Sequence, residues 1–155
     1  MLRPDPGTAP QLLRAAREDA QLTQRELARR SGVQQSHIAA IESGTRTVSP
    51  ELLVRLLRAA DYRPSVPLER EARRIRNIAA ERGIGNVRVF GSALHGTDRF
   101  DSDLDLLVDV PPGAAPFALA TFVSHVQDLL GFPVDVVVDR AGGFADRIRA
   151  EAVPL

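Results

Sequence analysis

Asp101-Ser102-Asp103-Leu104-Asp105-Leu106-Leu107-Val108-Asp109 is the stretch on which the reading of this 155-residue chain turns. From Leu104 to Val110 the residues suit a strand, which Pro111-Pro112-Gly113 closes. Residues two apart on a strand share a face, so Asp103 and Asp105 converge while Leu104 and Leu106 point the other way. Two carboxylates held that close repel each other unless a cation joins them. Mg²⁺ is the natural ion, because it binds through one or two carboxylates together with substrate phosphates. On the pair alone a second reading stays open: an edge strand whose acids, Asp109 among them, face water.

Upstream, Val87-Arg88-Val89-Phe90 is a short strand ending at Gly91-Ser92, ten residues before Asp103. Gly91 lets a phosphate approach the backbone, and Ser92 can cap a short helix whose free N–H groups attract the same anion. Downstream, Pro116 can open a helix running to Leu130, with Leu119, Phe122, Val123, Val126 and Leu130 inward and Gly131 after its end. His125 shares the polar face of that helix with Thr121 and Asp128 and reads as solvated. A third strand covers Val134 to Val138, and a last short helix about Phe144 to Ala150.

The arrangement Phe90-Gly91-Ser92-Ala93, Gly96, Asp101-Ser102-Asp103-Leu104-Asp105-Leu106-Leu107-Val108 and terminal Glu151-Ala152-Val153-Pro154-Leu155 resembles the polymerase-β-type nucleotidyltransferases, in particular the minimal nucleotidyltransferase family. The resemblance spans about residues 68–155. It implies a third carboxylate on a neighbouring strand, supplied by Asp135, which would deprotonate the attacking hydroxyl or complete the metal cluster. Asp139 is less suited, lying at the strand end on the other face. The implied site is Asp103, Asp105 and Asp135 for catalysis and Mg²⁺ or Mn²⁺, with Gly91 and Ser92 for the phosphates of ATP. His95 stands where many relatives carry arginine or lysine.

The first half reads as short helices. Leu12, Leu13 and Ala16 stripe one over residues 10–19. Thr23-Gln24-Arg25-Glu26 fits a capping box, opening a helix to about Arg30 with Gly32 as its turn. A third covers roughly Gln35 to Glu42, with Ile38 and Ile41 inward and Gly44 as terminator. Ser49-Pro50-Glu51 opens a fourth, buried through Leu52, Leu53, Leu56, Leu57 and Ala60. Pro64 and Pro67 mark 63–67 as a linker, and 68–82 resume as an amphipathic helix with Leu68, Ala72, Ile75 and Ala79 on one side.

Two short helices around a Gly32-Val33 turn suit helix-turn-helix packing. The run Leu22-Thr23-Gln24-Arg25-Glu26-Leu27-Ala28, then Gly32-Val33-Gln34-Gln35-Ser36-His37-Ile38 and Ile41-Glu42-Ser43-Gly44, resembles the phage-repressor (Cro/C1, XRE-type) family over residues 10–62. That implies a recognition helix at 35–42, with Gln34, Gln35, Ser36 and His37 facing base edges and Gln24 and Arg46 on phosphates. Ala39 and Ala40 replace longer polar groups and make base readout sparse.

Composition bounds the chemistry. There is no cysteine, which removes disulfides, thiol nucleophiles and Cys-ligated zinc. All 20 basic residues are arginine, which removes a Walker-type loop and a Schiff-base lysine. Three scattered histidines argue against a His-built metal site. No apolar run approaches the ~20 residues of a membrane helix, and the start lacks a signal h-region, so a cytoplasmic location is expected. The net charge of zero is composite: residues 1–82 hold 15 arginines against 10 acids and residues 83–155 hold 5 against 10. Drawn at residue 67, the division is +3 and −3.

The expected architecture is two-domain, α plus α+β. An all-α helix-turn-helix bundle (1–62) and a linker (63–67) precede a small mixed-sheet nucleotidyltransferase fold (68–155). The resemblances together imply an antitoxin that attaches AMP to a tyrosine of a HEPN-type ribonuclease toxin, binds double-stranded operator DNA as a homodimer and represses its own operon. The alternatives are a regulator whose nucleotidyltransferase fold senses a nucleotide or grips a partner, and an enzyme acting on RNA ends or a small molecule.

Overall fold

The computed structural model describes residues 4–140 and 144–155. A 3-10 turn, Pro6–Thr8, leads into helices α1 (Ala9–Asp19), α2 (Gln24–Ser31), α3 (Gln35–Glu42) and α4 (Pro50–Ala59). Their ends follow local chemistry. Thr23 Oγ1 accepts the Glu26 N–H while the Glu26 carboxylate accepts the Thr23 N–H, so the expected capping box is formed. Gly32 closes α2 at φ 69°, a left-handed conformation that glycine adopts without a Cβ clash. Ser49 caps α4 through the Leu52 N–H. Leu13, Leu27, Ile38, Ile41, Leu53, Leu56 and Leu57 form the fully buried centre of this bundle.

Residues 63–67 differ from the expected linker. Helix α5 (Ser65–Ala80) begins there, with Pro64 at its N-cap and Pro67 in its first turn. The first N–H groups of a helix have no internal partner, so prolines at these positions begin the helix instead of stopping it. Both prolines are buried.

The remaining elements are β1 (Gly85–Phe90), α6 (Gly91–His95), β2 (Leu104–Asp109), α7 (Ala118–Leu130), β3 (Val134–Val138), α8 (Phe144–Arg149) and β4 (Val153–Pro154). The sheet order is β3-β2-β1-β4, with β1 antiparallel to β2 and β4, and β2 parallel to β3. Leu104, Leu106 and Val108 face α5 and α7, while Leu107 meets Phe90 and Ile148 on the other side. A strand covered on both faces can carry the near-continuous apolar run seen here.

Two further expectations are corrected. Pro116 does not open α7: its N-cap is Phe117, left-handed at φ 66° and 82% exposed. β4 was not anticipated, since two residues, one of them proline, carry no periodicity; it forms because β1 offers an edge where proline is tolerated.

Candidate active site and nucleic-acid interface

The parallel pairing of β2 and β3 sets Asp105 directly opposite Asp135. Asp103 lies one residue before β2. Asp105 is half-buried, Asp103 and Asp135 are exposed. Burial, then the negative charges of Asp135 and Asp103, push the Asp105 carboxyl above its ordinary range. The strand register and the effect of both neighbours on Asp105 place the three groups together. Among the described residues none of the three carboxylates accepts a hydrogen bond or an ion pair. Also among the described residues, no three His, Cys, Asp or Glu side chains close around a single point as a metal chelate would. The trio is therefore an open, like-charged cluster.

The other aspartates nearby are matched. Asp109 accepts from Asn86 at 2.6 Å and from Arg88 at 2.8 Å. Asp139 is gripped by Arg149 and by Arg88, the latter at 2.7 Å, and those two guanidinium groups hold its carboxyl down to about 2. Its side chain is thus spent on fixing α8 against the sheet.

Gly91, at φ 70°, opens α6 beneath Asp105. A Cβ there would strike the Asp105 carboxylate and lie 3.1 Å from its Cγ, so only glycine fits between this turn and the acid. Ser92 is not the cap that the sequence suggested. Phe90 occupies the N-cap without a side-chain bond, and Ser92 stands inside the first turn with its hydroxyl unbonded among the described residues. His95, one turn on, has Nε2 3.4 Å from the Glu151 carboxylate.

In the N-terminal bundle Gln34, Gln35 and Ser36 are exposed at the start of α3, and His37 is half-buried. Arg46 is exposed beyond Gly44. Gln24 is differently engaged: its Nε2 donates to Glu42 at 3.0 Å, and its Oε1 accepts from Gln35 Nε2 at 2.8 Å. Glu42 is 5% exposed and also accepts from Arg17 Nε at 2.7 Å and Nη2 at 3.0 Å. Burial pushes its carboxyl up, but the Arg17 and Gln24 hydrogen bonds outweigh that and hold it below the ordinary range. Arg17 and Glu42 were missed in the sequence; an acid among the apolar residues of α3 was the one available signal.

His125 is not simply solvated, since Arg82 contacts its Nδ1. A groove of about 580 Å³ between α1, α5 and α7, lined by Gln11, Arg70, Arg74, His125 and Asp128, contains none of the aspartate trio. Among the described residues no helix is long and apolar enough to cross a membrane.

Comparison with known proteins fits this geometry. A helix-turn-helix family profile matches residues 13–66 and a nucleotidyltransferase domain profile matches residues 72–153. The uncharacterized HTH-type transcriptional regulator y4dL of Sinorhizobium fredii (strain NBRC 101917 / NGR234) is 46% identical over 68 residues, 44% of this chain. The match spans only 35% of that relative's own length. A solved chain, provisionally described as a minimal nucleotidyltransferase, is 33% identical with a TM-score of 0.55, covering 61% of this chain and 98% of that one.

Proposed function

Because the chain belongs to the nucleotidyltransferase domain family and carries a helix-turn-helix domain ahead of that domain, we propose that it is a cytoplasmic DNA-binding antitoxin. In this reading it transfers AMP from ATP to a tyrosine hydroxyl of a HEPN-type ribonuclease toxin and represses its own operon as a homodimer. Residues 1–62 are the DNA-binding domain and 68–155 the transferase.

One observation carries the catalytic half. In a chain with 20 arginines, Asp98, Asp101 and Asp109 each hold one and Asp139 holds two, while Asp103, Asp105 and Asp135 hold none among the described residues. An unmatched trio beside a side-chain-free turn suits a site whose positive charge arrives with its substrate. The donor set, all hard carboxylate oxygens, fits Mg²⁺ or Mn²⁺. Asp103, Asp105 and Asp135 would hold the ion, which when bound supplies positive charge to the attacking and leaving oxygens.

The chain's own residues do the rest. The Gly91 turn admits the β- and γ-phosphates against the backbone, and the free Ser92 hydroxyl donates to them. Asp135, exposed at the strand start, takes the proton from the acceptor hydroxyl. The hydroxyl oxygen bonds to the α-phosphorus as the bond to the β-phosphate oxygen breaks, releasing pyrophosphate. On the DNA side Gln34, Gln35, Ser36 and His37 read base edges, Arg46 meets phosphate, and Gln24 reaches the DNA beside Gln35.

The test is to incubate the full chain with ATP labelled at the α-phosphate, Mg²⁺ and the small helical protein of the adjacent reading frame. Label is expected on a tyrosine of that protein and is expected to fall to background with Asp103→Ala or Asp105→Ala. No label, or equal labelling by the variants, overturns the enzymatic reading. A second reading, a regulator that senses a nucleotide without transferring it, is favoured by the pairing of His95 with Glu151 in place of a free phosphate-binding cation. Unchanged neutralisation of the partner by the aspartate variants would select it.

A further inference from the structure

Helix α5 starts without a cap of its own, because Pro64 offers no side-chain acceptor. The cap comes from the loop that leads into β2. Asp98 Oδ2 accepts the Ser65 N–H at 2.8 Å and Oδ1 accepts the Ser65 hydroxyl at 3.1 Å, with Arg63 Nε 3.6 Å away. Asp98 is 1% exposed, so these partners replace its hydration. Two residues later Phe100 is buried in the core of the N-terminal bundle, its ring centroid 4.4 Å beneath the Arg58 guanidinium. Arg58 also donates to both Asp101 oxygens, at 2.8 and 2.9 Å.

The loop is thus fastened to the end of α4 and the start of α5 at three successive places, and it ends two residues before Asp103. The other carboxylate strand is anchored in the same core. Phe132, three residues before Asp135, is 1% exposed and lies 5.5 Å from the ring of Tyr62.

We propose that Arg58 and Asp98 are positioning residues for the transfer site, so that the helix-turn-helix domain sets where Asp103 stands relative to Asp105 and Asp135. This rests on the function proposed above. The physical ground is that a carboxylate site works only within about 0.5 Å of its productive geometry. A bidentate guanidinium fork fixes both the distance and the plane of the segment it holds. Lysine cannot substitute, since it offers neither the fork nor the planar stacking on Phe100.

Charge and geometry predict opposite signs for one substitution. Removing the positive charge of Arg58, which holds Asp101 two residues from Asp103, would tighten a divalent ion through space, whereas releasing the loop would weaken it. The experiment is Mn²⁺ titration of the full chain followed by electron paramagnetic resonance, for wild type, Arg58→Ala, Arg58→Lys and Asp98→Asn. Circular dichroism of each variant checks the fold. Arg58→Ala and Arg58→Lys are expected to weaken Mn²⁺ binding about five-fold, the equivalent of losing one good charge-assisted contact. Asp98→Asn, which keeps one of the two acceptor oxygens and loses the charge, is expected to fall between them and wild type.

In the transfer assay the loss is expected in kcat, with KM for ATP unchanged. Mn²⁺ affinity in Arg58→Ala equal to or tighter than wild type overturns the inference alone. A wild type that binds no Mn²⁺ overturns the proposed transferase and this inference with it.

Discussion

Asp105 lies on β2 and Asp139 just past the end of neighbouring β3, and the two are held in opposite electrostatic states. Asp105 is pushed up by burial and by two neighbouring carboxylates. Asp139 is held down to about 2 by Arg149 and Arg88. Spacing alone does not show this difference. Arg88 is 51 residues from Asp139 in sequence, and only the fold brings them to 2.7 Å. A carboxyl whose folded value lies below its unfolded value stabilises the fold when ionised. That contribution is complete above about pH 4, the ordinary aspartate range, and fades as pH falls through about 2. Asp139→Asn is therefore expected to lower Tm at pH 7. The gap from wild type is expected to narrow steadily as pH falls from 4 toward 2, which a calorimetric pH series would record.

At the scale of elements, the helix signals were local and strong. The Thr23 capping box, the Gly32 turn and the Ser49-Pro50 start all stand where the sequence put them. Each needs only residues within one turn of one another. The failures share the opposite property. Pro64 and Pro67 read as stops because the acceptor that caps α5, Asp98, lies 33 residues away. Pro116 reads as a start, yet α7 begins after Phe117 in a left-handed conformation.

The register of the two candidate DNA-facing helices depends on a pair that periodicity does not reveal. Arg17 of α1 holds Glu42 of α3, and Glu42 in turn holds Gln24 of α2. Arg17→Met is expected to leave a buried carboxylate without its partner and to cost about 3 kcal/mol in urea unfolding. Operator affinity should fall as well, because Gln24 supports Gln35. Unchanged stability would show that water replaces the guanidinium at no cost.

The whole molecule has two sequence modules but joined packing. Phe100 and Phe132, both from the second half of the chain, belong to the apolar cluster of the first. A shared core predicts shared cooperativity. Tyr62 is the single tyrosine, the chain has no tryptophan, and its ring faces Phe132 across the junction. Its emission should therefore report the junction alone. Unfolding followed by Tyr62 emission and by far-ultraviolet circular dichroism is expected to give coincident transitions; an earlier emission change would mean that the modules part first. The sequence by itself determined most of the elements and their order, and it marked the candidate aspartates and the glycine beside them, because strand alternation, caps and motif spacing act over a few residues. The tertiary structure decided which aspartates stay unmatched, which glutamine is free to meet a partner, and that the loop leading to Asp103 is fastened to α4 and α5. Those depend on which arginines and aromatic rings arrive from dozens of residues away, and no local pattern encodes that meeting.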